Sequence, residues 1–212
     1  MALSALPGHG GHPEPEAIQL PEPMSAGEKS VEEALRKRQS IRDFTRTPLT
    51  LPELSQLLWA AQGLSGFGRR RTVPSAGGIY PLRVRVAVGD VTGLSPGIYA
   101  YNPHKHELIR TERGDKRLPL HQASLGQKAV KSAPASIVIS AFYKHTMIKY
   151  GERGYRYVNM EAGHAAQNVS LQAVSLNLGA VVIGAFHDME VKAILNLAEQ
   201  EEPVYIIPVG RT

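Results

Sequence analysis

Two stretches in the first third of the chain carry apolar residues at helical spacing, each behind a polar residue suited to begin a helix. Ser30 and Glu33 have the spacing of a capping box, in which each side chain bonds the other residue's backbone N–H. Thr50 and Glu53 repeat this spacing, and Gly63 is placed to end the second helix. The pattern therefore predicts two helices, one after Ser30 and one after Thr50.

Strand patterns follow in the middle of the chain. Valines at alternate positions over residues 84–88 have the period of a strand, and residues 98–101 and 107–110 predict a hairpin. The β-branched run ASIVISAF, residues 135–142, is typical of a strand buried on both faces. A short helix is expected between these strands, over residues 121–131.

The last third of the chain alternates helix and strand. Residues 155–177 contain no proline and predict a long, mostly buried central helix. Residues 180–183 predict a strand, Asp188 is expected to cap a further helix, and residues 204–209 predict a final strand. Helices interleaved with strands, together with one antiparallel hairpin, indicate an α+β or mixed α/β fold.

The N-terminal residues differ in composition from the rest of the chain. Residues 1–27 are rich in Pro, Gly, His and Glu, and lack the basic-then-apolar order of a signal peptide. We therefore expect a flexible leader, residues 1–27, followed by a single domain over residues 28–212. The chain has no cysteine and no apolar run of about 18 residues, so we expect a cytoplasmic protein with no membrane partner.

Composition excludes several classes of function. Aromatic residues make up only 6% of the chain, which argues against base stacking, so no nucleic-acid partner is expected despite the net charge of +5. The absence of cysteine excludes thiolate nucleophiles, and the motifs of nucleoside triphosphate, dinucleotide, zinc-peptidase and serine-hydrolase sites are missing. The histidines show no metal-ligand spacing, so no metal site is predicted. His164, within the central helix, is expected to be a hydrogen-bonded core residue.

The segment RQSIR, after the first predicted helix, is dense in hydrogen-bond donors. Arg38, Ser40 and Arg42 occupy alternate positions, so an extended chain would point all three to one side. Two guanidiniums and a hydroxyl suit a phosphate, or a ring edge that gains negative charge. A basic helix end that interacts with the helix dipole explains the same residues without a ligand. The residues alone leave both interpretations open.

Six motifs in order resemble the FMN-dependent nitroreductase superfamily, specifically its SagB/ThcOx-type dehydrogenase branch. They are RQSIRDF, PSAGGIYPLRV, GIYAYNP, KYGERGYRYVNMEAGHAAQNVSLQA, GAVVIGAF and PVGR. The resemblance extends from about residue 30 to residue 211. It implies an α+β sandwich in which helices flank a mixed, mainly antiparallel sheet around a long central helix. It also implies an intertwined homodimer with FMN bound at the subunit interface.

The resemblance implies cofactor-binding residues at matching positions. The segment RQSIR would hold the phosphate and ribityl chain, and its second arginine would lie near the N1/C2 edge of the flavin. A loop from the partner subunit would cover the flavin, and a later stretch would lie behind the ring and donate a backbone N–H to N5. A C-terminal arginine would also contact the phosphate. In this order, the residues are Arg38, Gln39, Ser40 and Arg42; Pro74, Ser75, Ala76 and Gly77; Val182, Ile183, Gly184 and Ala185; and Arg211.

The activity implied by the resemblance is a ping-pong hydride transfer. NAD(P)H, as co-substrate, would deliver hydride through FMN to a small acceptor such as a nitroaromatic, a quinone or an activated alkene. This chemistry belongs to the cofactor, so the lack of a protein nucleophile or metal is expected. The basic triplet Arg69-Arg70-Arg71 would attract the phosphates of NAD(P)H, or else forms an exposed loop with no partner.

Two further functions remain open. Lys149 and Tyr150 match the Lys-Tyr pair of azoline oxidases, which take hydride from a substrate such as a peptide azoline while the pair assists proton removal. Such a lysine acts as a base only when its pKa is lowered. The alternative for the pair is a structural role at the start of the central helix. The remaining function is a non-catalytic, flavin-binding scaffold subunit.

Overall fold

The computed structural model of the protein describes residues 17–66 and 70–212. Within these residues, seven strands form one sheet in the order β1-β4-β3-β2-β5-β7-β6. The strands are β1 Ala17–Gln19, β2 Leu82–Val88, β3 Gly97–Asn102, β4 Glu107–Arg113, β5 Ala135–Ala141, β6 Gly179–Ala180 and β7 Glu202–Gly210. The helices are α1 Val31–Lys37, α2 Leu51–Gln62, α3 Arg117–Ala123, α4 Lys128–Ser132, α5 Tyr143–Tyr150, α6 Arg153–Ser175 and α7 Asp188–Leu195, with a 3₁₀ turn at Ala76–Gly78.

The sheet separates two hydrophobic cores. Alternation along β2 directs Val84 and Val86 into a core with α2 and α6, and Ala87 into a second core with α3, α4 and α7. Each fully buried aliphatic side chain contributes about 1.5–3 kcal/mol, so the two cores hold helices on both faces of the sheet. The α+β sandwich that the sequence predicts is confirmed.

β5 is an interior strand of the sheet, and all of its residues are buried. It pairs antiparallel with β2 on one side and with β7 on the other. The predicted hairpin is also present, as β3 and β4. Every ladder between the described strands is antiparallel, and the parallel contacts are isolated bridges such as Ser40 with Ala180.

The predicted helix starts are present. In α2, the Glu53 N–H donates to Thr50 Oγ1 and the Thr50 N–H donates to the Glu53 carboxylate at 2.8 Å, which completes a capping box. At α1, Ser30 Oγ accepts from the N–H of the third helical residue. The central helix is α6, which packs one face on the first core. His164 lies on its exposed side, so the expectation of a core histidine is wrong.

Two of the predicted helices have different bounds. The helix expected over residues 121–131 is divided into α3 and α4, because Leu125 and Gly126 have φ angles of 56° and 71°, which no helix continues through. Asp188 is the first residue of α7 rather than its cap, and α7 ends at Leu195, where the next residue takes a left-handed conformation.

The predicted leader, residues 1–27, lies partly outside the described residues. Its described part is folded onto the domain, because β1 pairs with β4 and Leu20 is only 3% exposed. Ser55 Oγ donates to the Pro21 carbonyl at 2.6 Å. The boundary predicted after residue 27 is therefore wrong for this part. Its backbone pairs with the sheet through β1, and the Leu20 side chain packs in the first core.

Over residues 17–66 and 70–212, no helix has both the length and the apolar character needed to cross a membrane. The same residues contain no group of three or more His, Asp or Glu side chains arranged to hold a metal ion.

Candidate functional site

The donor-rich segment RQSIR runs as an extended chain beside β6. Ser40 forms an isolated parallel bridge with Ala180, and the Ile41 N–H donates to the Ala180 carbonyl at 2.9 Å. Gly179 makes this approach possible, because a Cβ there would lie 2.7 Å from the Ile41 side chain. The segment is therefore fixed to the edge of the sheet.

Side chains of the segment alternate between its two sides. Gln39 and Ile41 line a cavity against the C-terminal end of α6. Arg38, Ser40 and Arg42 therefore share the opposite side, on which Ser40 and Arg42 are exposed and Arg38 is half-buried. The structure brings three of the four predicted residues together and separates Gln39 from them.

The stretch VIGA, residues 182–185, continues beyond β6 along β7. The N–H and the carbonyl of Ile183 both bond Ile206 at 2.9 Å, and the Ile183 side chain is buried in the second core. The two residues that follow are exposed. A Cβ on Gly184 would meet only the Tyr205 ring, at 3.5 Å, so the outer side of this backbone is open to a flat group.

RQSIR and VIGA line the same edge of the sheet. Ser40 lies beside Ala180, and the open backbone at Gly184 follows about 13 Å further along the strand direction. Guanidinium and hydroxyl donors thus lie at one end, and an uncovered backbone lies at the other. These residues fit FMN, which carries a phosphate at one end and a planar ring at the other.

The predicted loop, PSAGG, forms a turn before β2. Gly77 and Gly78 have φ angles of 62° and 66°, and Tyr80 has a φ of 53°. Such a conformation costs a non-glycine residue about 1–2 kcal/mol. The Tyr80 N–H donates to Ser75 Oγ at 2.9 Å, which ties the end of the turn to its beginning.

The turn and RQSIR lie at opposite ends of the sheet. β2 begins at Leu82, which pairs with Ala141 at the end of β5, whereas Val209 pairs with Ala135 at the beginning of β5 and with Ala180 of β6. The length of β5 separates these ends by about 20 Å. Within one chain, the turn therefore does not contact the donor segment RQSIR.

Lys149 and Tyr150 end α5, a helix that was not predicted from the sequence. Their polar atoms meet the turn at Gly77, because Lys149 Nζ and Tyr150 Oη lie 2.8 and 2.7 Å from the position of a Gly77 Cβ. Lys149 Nζ lies 5.4 Å from the Tyr150 ring centroid. The prediction that this pair begins the central helix is therefore wrong. The two residues instead end the preceding helix and contact the predicted cofactor loop.

A buried carboxylate, Glu161 of α6, lies under the same turn. It is 3% exposed, and Ser75 Oγ donates to its Oε2 at 2.6 Å. Burial raises the pKa of Glu161 to about 7, against the opposing effects of Ser75 and Arg71. Glu161 was not predicted from the sequence as a site residue, although Val158 and Ala165 flank it at helical spacing and so indicate a carboxylate on the buried side of α6.

Arg71 lies beside the turn and contacts its residues. Its guanidinium donates to Gln62 Oε1 at 2.7 Å and lies 4.9 Å from the Tyr80 ring centroid. Burial lowers the pKa of Arg71. The interpretation of the basic triplet as an exposed loop without a partner is therefore wrong for Arg71. Arg70 is exposed, and Arg69 lies outside the described residues.

Arg211 already has an acidic partner. Its guanidinium donates to Glu53 Oε1 at 2.7 Å, and its carbonyl accepts from the Thr45 N–H at 2.9 Å. The other Glu53 oxygen belongs to the capping box of α2. A phosphate contact by Arg211 stays a prediction, and it would require Arg211 to share or release this carboxylate.

The chain is similar to known proteins over nearly its whole length. The Nitroreductase family model matches residues 35–211. A protein of Methanocaldococcus jannaschii described as a nitroreductase is 45% identical over 194 residues, which is 92% of this chain and 96% of that protein. A Ralstonia eutropha structure described as a nitroreductase has a TM-score of 0.81 and 32% identity, and covers 99% of both chains.

A more distant relative is the trifolitoxin operon protein TfxC of Rhizobium leguminosarum biovar trifolii. It is 26% identical over 197 residues, which is 84% of this chain and 54% of that protein. The family match extends from α1 to the last residues of the chain and includes the donor segment, the turn, the Lys-Tyr pair and the open backbone. The fold, the site and the similarity over nearly full length lead to one conclusion: this chain belongs to the nitroreductase family of flavin-associated oxidoreductases.

Proposed function

We propose that the protein is an FMN-dependent oxidoreductase that uses NAD(P)H to reduce a small planar acceptor, such as a nitroaromatic, a quinone or an activated alkene. The observation that supports this most directly is the sheet edge, with the arginines and Ser40 at one end and the open backbone of Gly184 at the other. When bound there, FMN would supply hydride transfer in a ping-pong cycle.

Each part of this edge has a distinct role in the proposal. Arg38 and Ser40 would hold the phosphate by charge-assisted hydrogen bonds. Arg42 would lie near the N1/C2 edge of the ring and stabilise negative charge there. Within the described residues, the Gly184 N–H has no backbone acceptor, so it is free to donate to a ring nitrogen.

The homodimer is part of the proposal because the resemblance implies it. Residues 74–80 lie about 20 Å from RQSIR along β5, and in the proposed dimer they would cover the ring of the FMN that the partner subunit holds. Lys149 and Tyr150 contact this turn and would come with it into the partner's site.

Lys149 and Tyr150 also favour a second candidate function. An exposed amine and a half-buried phenol meet at Gly77, on the loop that would face the ring. There the pair would be placed to move a proton on a substrate such as a peptide azoline while FMN takes the hydride. The likeness to the trifolitoxin operon protein supports this dehydrogenase or oxidase alternative.

Anaerobic mixing of the purified protein with NADH or NADPH distinguishes these functions. Rapid bleaching of bound flavin by either nucleotide is expected for the reductase. Bound FMN that neither nucleotide bleaches would instead point to the dehydrogenase or to a non-catalytic scaffold.

Two lysine variants distinguish the dehydrogenase from the non-catalytic scaffold. Loss of substrate oxidation in Lys149→Ala with FMN retained, but not in Lys144→Ala, an exposed lysine of the same helix, supports the dehydrogenase. A colourless protein that binds no added FMN would overturn the proposal as a whole.

A further inference from the structure

The Ser75 hydroxyl connects the turn to the central helix. Ser75 Oγ accepts from the Tyr80 N–H at 2.9 Å and lies 2.6 Å from Glu161 Oε2. A serine hydroxyl has one proton, and an N–H can only donate. The Ser75 proton is therefore directed at Glu161, which is the acceptor.

The turn needs such an anchor because its backbone is strained at Tyr80, a residue other than glycine. Gly77, Gly78 and Tyr80 all have positive φ angles, and Tyr80 has no glycine-like freedom. A conformation of this kind persists only where surrounding contacts determine it. The bonds of Ser75 span the whole turn, from its beginning to Tyr80.

The central helix supplies a rigid base for this anchor. Seven residues after Glu161, Asn168 donates to the carbonyls of Thr72 and Ala60, at 3.1 and 3.2 Å. α6 therefore bonds the chain just before the turn, at Thr72, through Asn168. It bonds the turn itself, at Ser75, through Glu161. The Asn168 amide does not titrate, whereas the Glu161 carboxyl does.

We propose that Glu161 is a positioning residue for the cofactor site, which acts through Ser75 to fix the turn over residues 75–80. This inference rests on the proposed function where it takes the turn to cover FMN. Since that turn would face the partner subunit's FMN, Glu161 of one protomer would govern flavin binding in the other.

Protonation of Glu161 gives the anchor a pH dependence. The groups that face this carboxyl are the Arg71 guanidinium, the Gln62 amide and the Ser75 hydroxyl, and Glu161 alone among them titrates near neutrality. Burial raises its pKa to about 7. Hydrogen bonds to an ionised acceptor are stronger, so the turn should be held more tightly above this pH than below it.

Amide hydrogen exchange over residues 75–80, without added cofactor, tests the anchor directly. Glu161→Leu and Ser75→Ala should each raise exchange at the Tyr80 amide by about tenfold. Ser170→Ala is the matched control, because that buried serine of α6 donates only to Ala166. Unchanged exchange at Tyr80 in folded Glu161→Leu would overturn the proposal.

Glu161→Gln covers the case in which the leucine variant does not fold, because glutamine keeps an acceptor but cannot ionise. Exchange at Tyr80, corrected for its intrinsic pH dependence, should change between pH 6 and pH 8 in the wild type and not in Glu161→Gln. The same change in both proteins would rule out Glu161 as its source.

FMN affinity in a double-mutant cycle tests the route through Ser75. Glu161→Leu should weaken FMN binding in the wild-type background and have little effect in the Ser75→Ala background. Equal losses in both backgrounds would show that Glu161 acts elsewhere and would overturn the proposal. If no variant and no wild-type protein binds FMN, the proposed function fails, while the exchange measurements still decide the role of Glu161 in the turn.

Discussion

Gly77 and Gly78 have nearly the same φ angle but different surroundings. Their φ angles are 62° and 66°. A Cβ on Gly78 would enter open space, whereas one on Gly77 would lie within 2.8 Å of Lys149 Nζ and Tyr150 Oη. Alanine at either position therefore has a backbone cost of about 1–2 kcal/mol, but only at Gly77 does it also displace the Lys-Tyr pair.

We therefore expect Gly77→Ala to lower FMN affinity and turnover about tenfold more than Gly78→Ala, because it moves both the loop and the pair. Gly77→Val should have a larger effect, with the fold retained. Titration of FMN and steady-state kinetics of the three variants measure this difference. Equal effects of the two alanine variants would contradict the assignment of the turn to the site.

Two buried glutamates respond to their surroundings in opposite directions. Burial raises the pKa of Glu161 to about 7. Burial also acts to raise the pKa of Glu201, but hydrogen bonds from Arg85 and Ser140 outweigh it, and the pKa is lowered. The difference lies in the partners, because Arg85 supplies a full charge in contact with the carboxylate.

These opposite shifts predict how stability depends on pH. The stability contribution of Glu161 is fully present below its unfolded-state pKa of about 4.5 and is lost as the pH rises through about 7, a total of about 3 kcal/mol. Glu161→Gln should remove this decline, as measured by urea unfolding from pH 5 to pH 8. The contribution of Glu201 is instead lost on acidification, so Glu201→Gln should keep the decline. A decline that persists in Glu161→Gln would contradict the assigned pKa.

At the level of elements, α5 and α6 meet closely at Gly154. A Cβ there would lie 2.8 Å from the backbone of Met147, in the preceding helix. Gly163, later in α6, has no atom within 4 Å of its Cβ position. The two glycines therefore offer a matched comparison within one helix.

Gly154→Ala should destabilise the protein by about 1–3 kcal/mol, because the backbone of α5 must move. Gly163→Ala should instead gain up to about 1 kcal/mol from helix propensity. Urea unfolding of both variants gives the comparison. A gain in stability from Gly154→Ala would show that α5 does not pack on α6 in this way.

The elements that the sequence predicts are those with a local signal. The capping residues of α2, the apolar run of β5 and the spacing in α6 each determine structure within a few residues. α5 lacks such a signal because Thr146 is its only buried residue, and β1 is too short to show a period. Leu125, two residues after the end of α3, has a positive φ that its residue type does not indicate.

The candidate site divides in the same way. The shared side of Arg38, Ser40 and Arg42 could be predicted from their alternate positions in the sequence. The prediction holds because the bridge to β6 keeps the segment extended. The Ser75 contact with Glu161 was not, since 86 positions separate the two residues along the chain and only packing of the loop on α6 joins them.

At the scale of the whole molecule, the proposed homodimer, in which the turn of one subunit covers the FMN held by the other, predicts complementation between subunits. A protein with Arg38→Ala and Arg42→Ala loses the donor segment, whereas Gly77→Val loses the turn, so neither homodimer should bind FMN well. Co-expression should restore about a quarter of the wild-type sites, because half of randomly assembled dimers contain one intact site of two.

Flavin absorbance per chain, after co-expression with two different affinity tags, measures this recovery. The control is a mixture of the two separately purified homodimers, measured before their subunits exchange. No recovery in dimers that carry both tags would place the donor segment and the turn on the same chain's site.

The strand β1 has a consequence for protein production. It covers the outer edge of β4, and without it that edge would offer unpaired backbone groups to other chains. A shortened protein that begins at residue 28, where composition alone suggests the domain starts, would also lose the buried side chain of Leu20. We expect such a protein to aggregate, as light scattering during heating would show, whereas one that begins at residue 17 should remain dispersed.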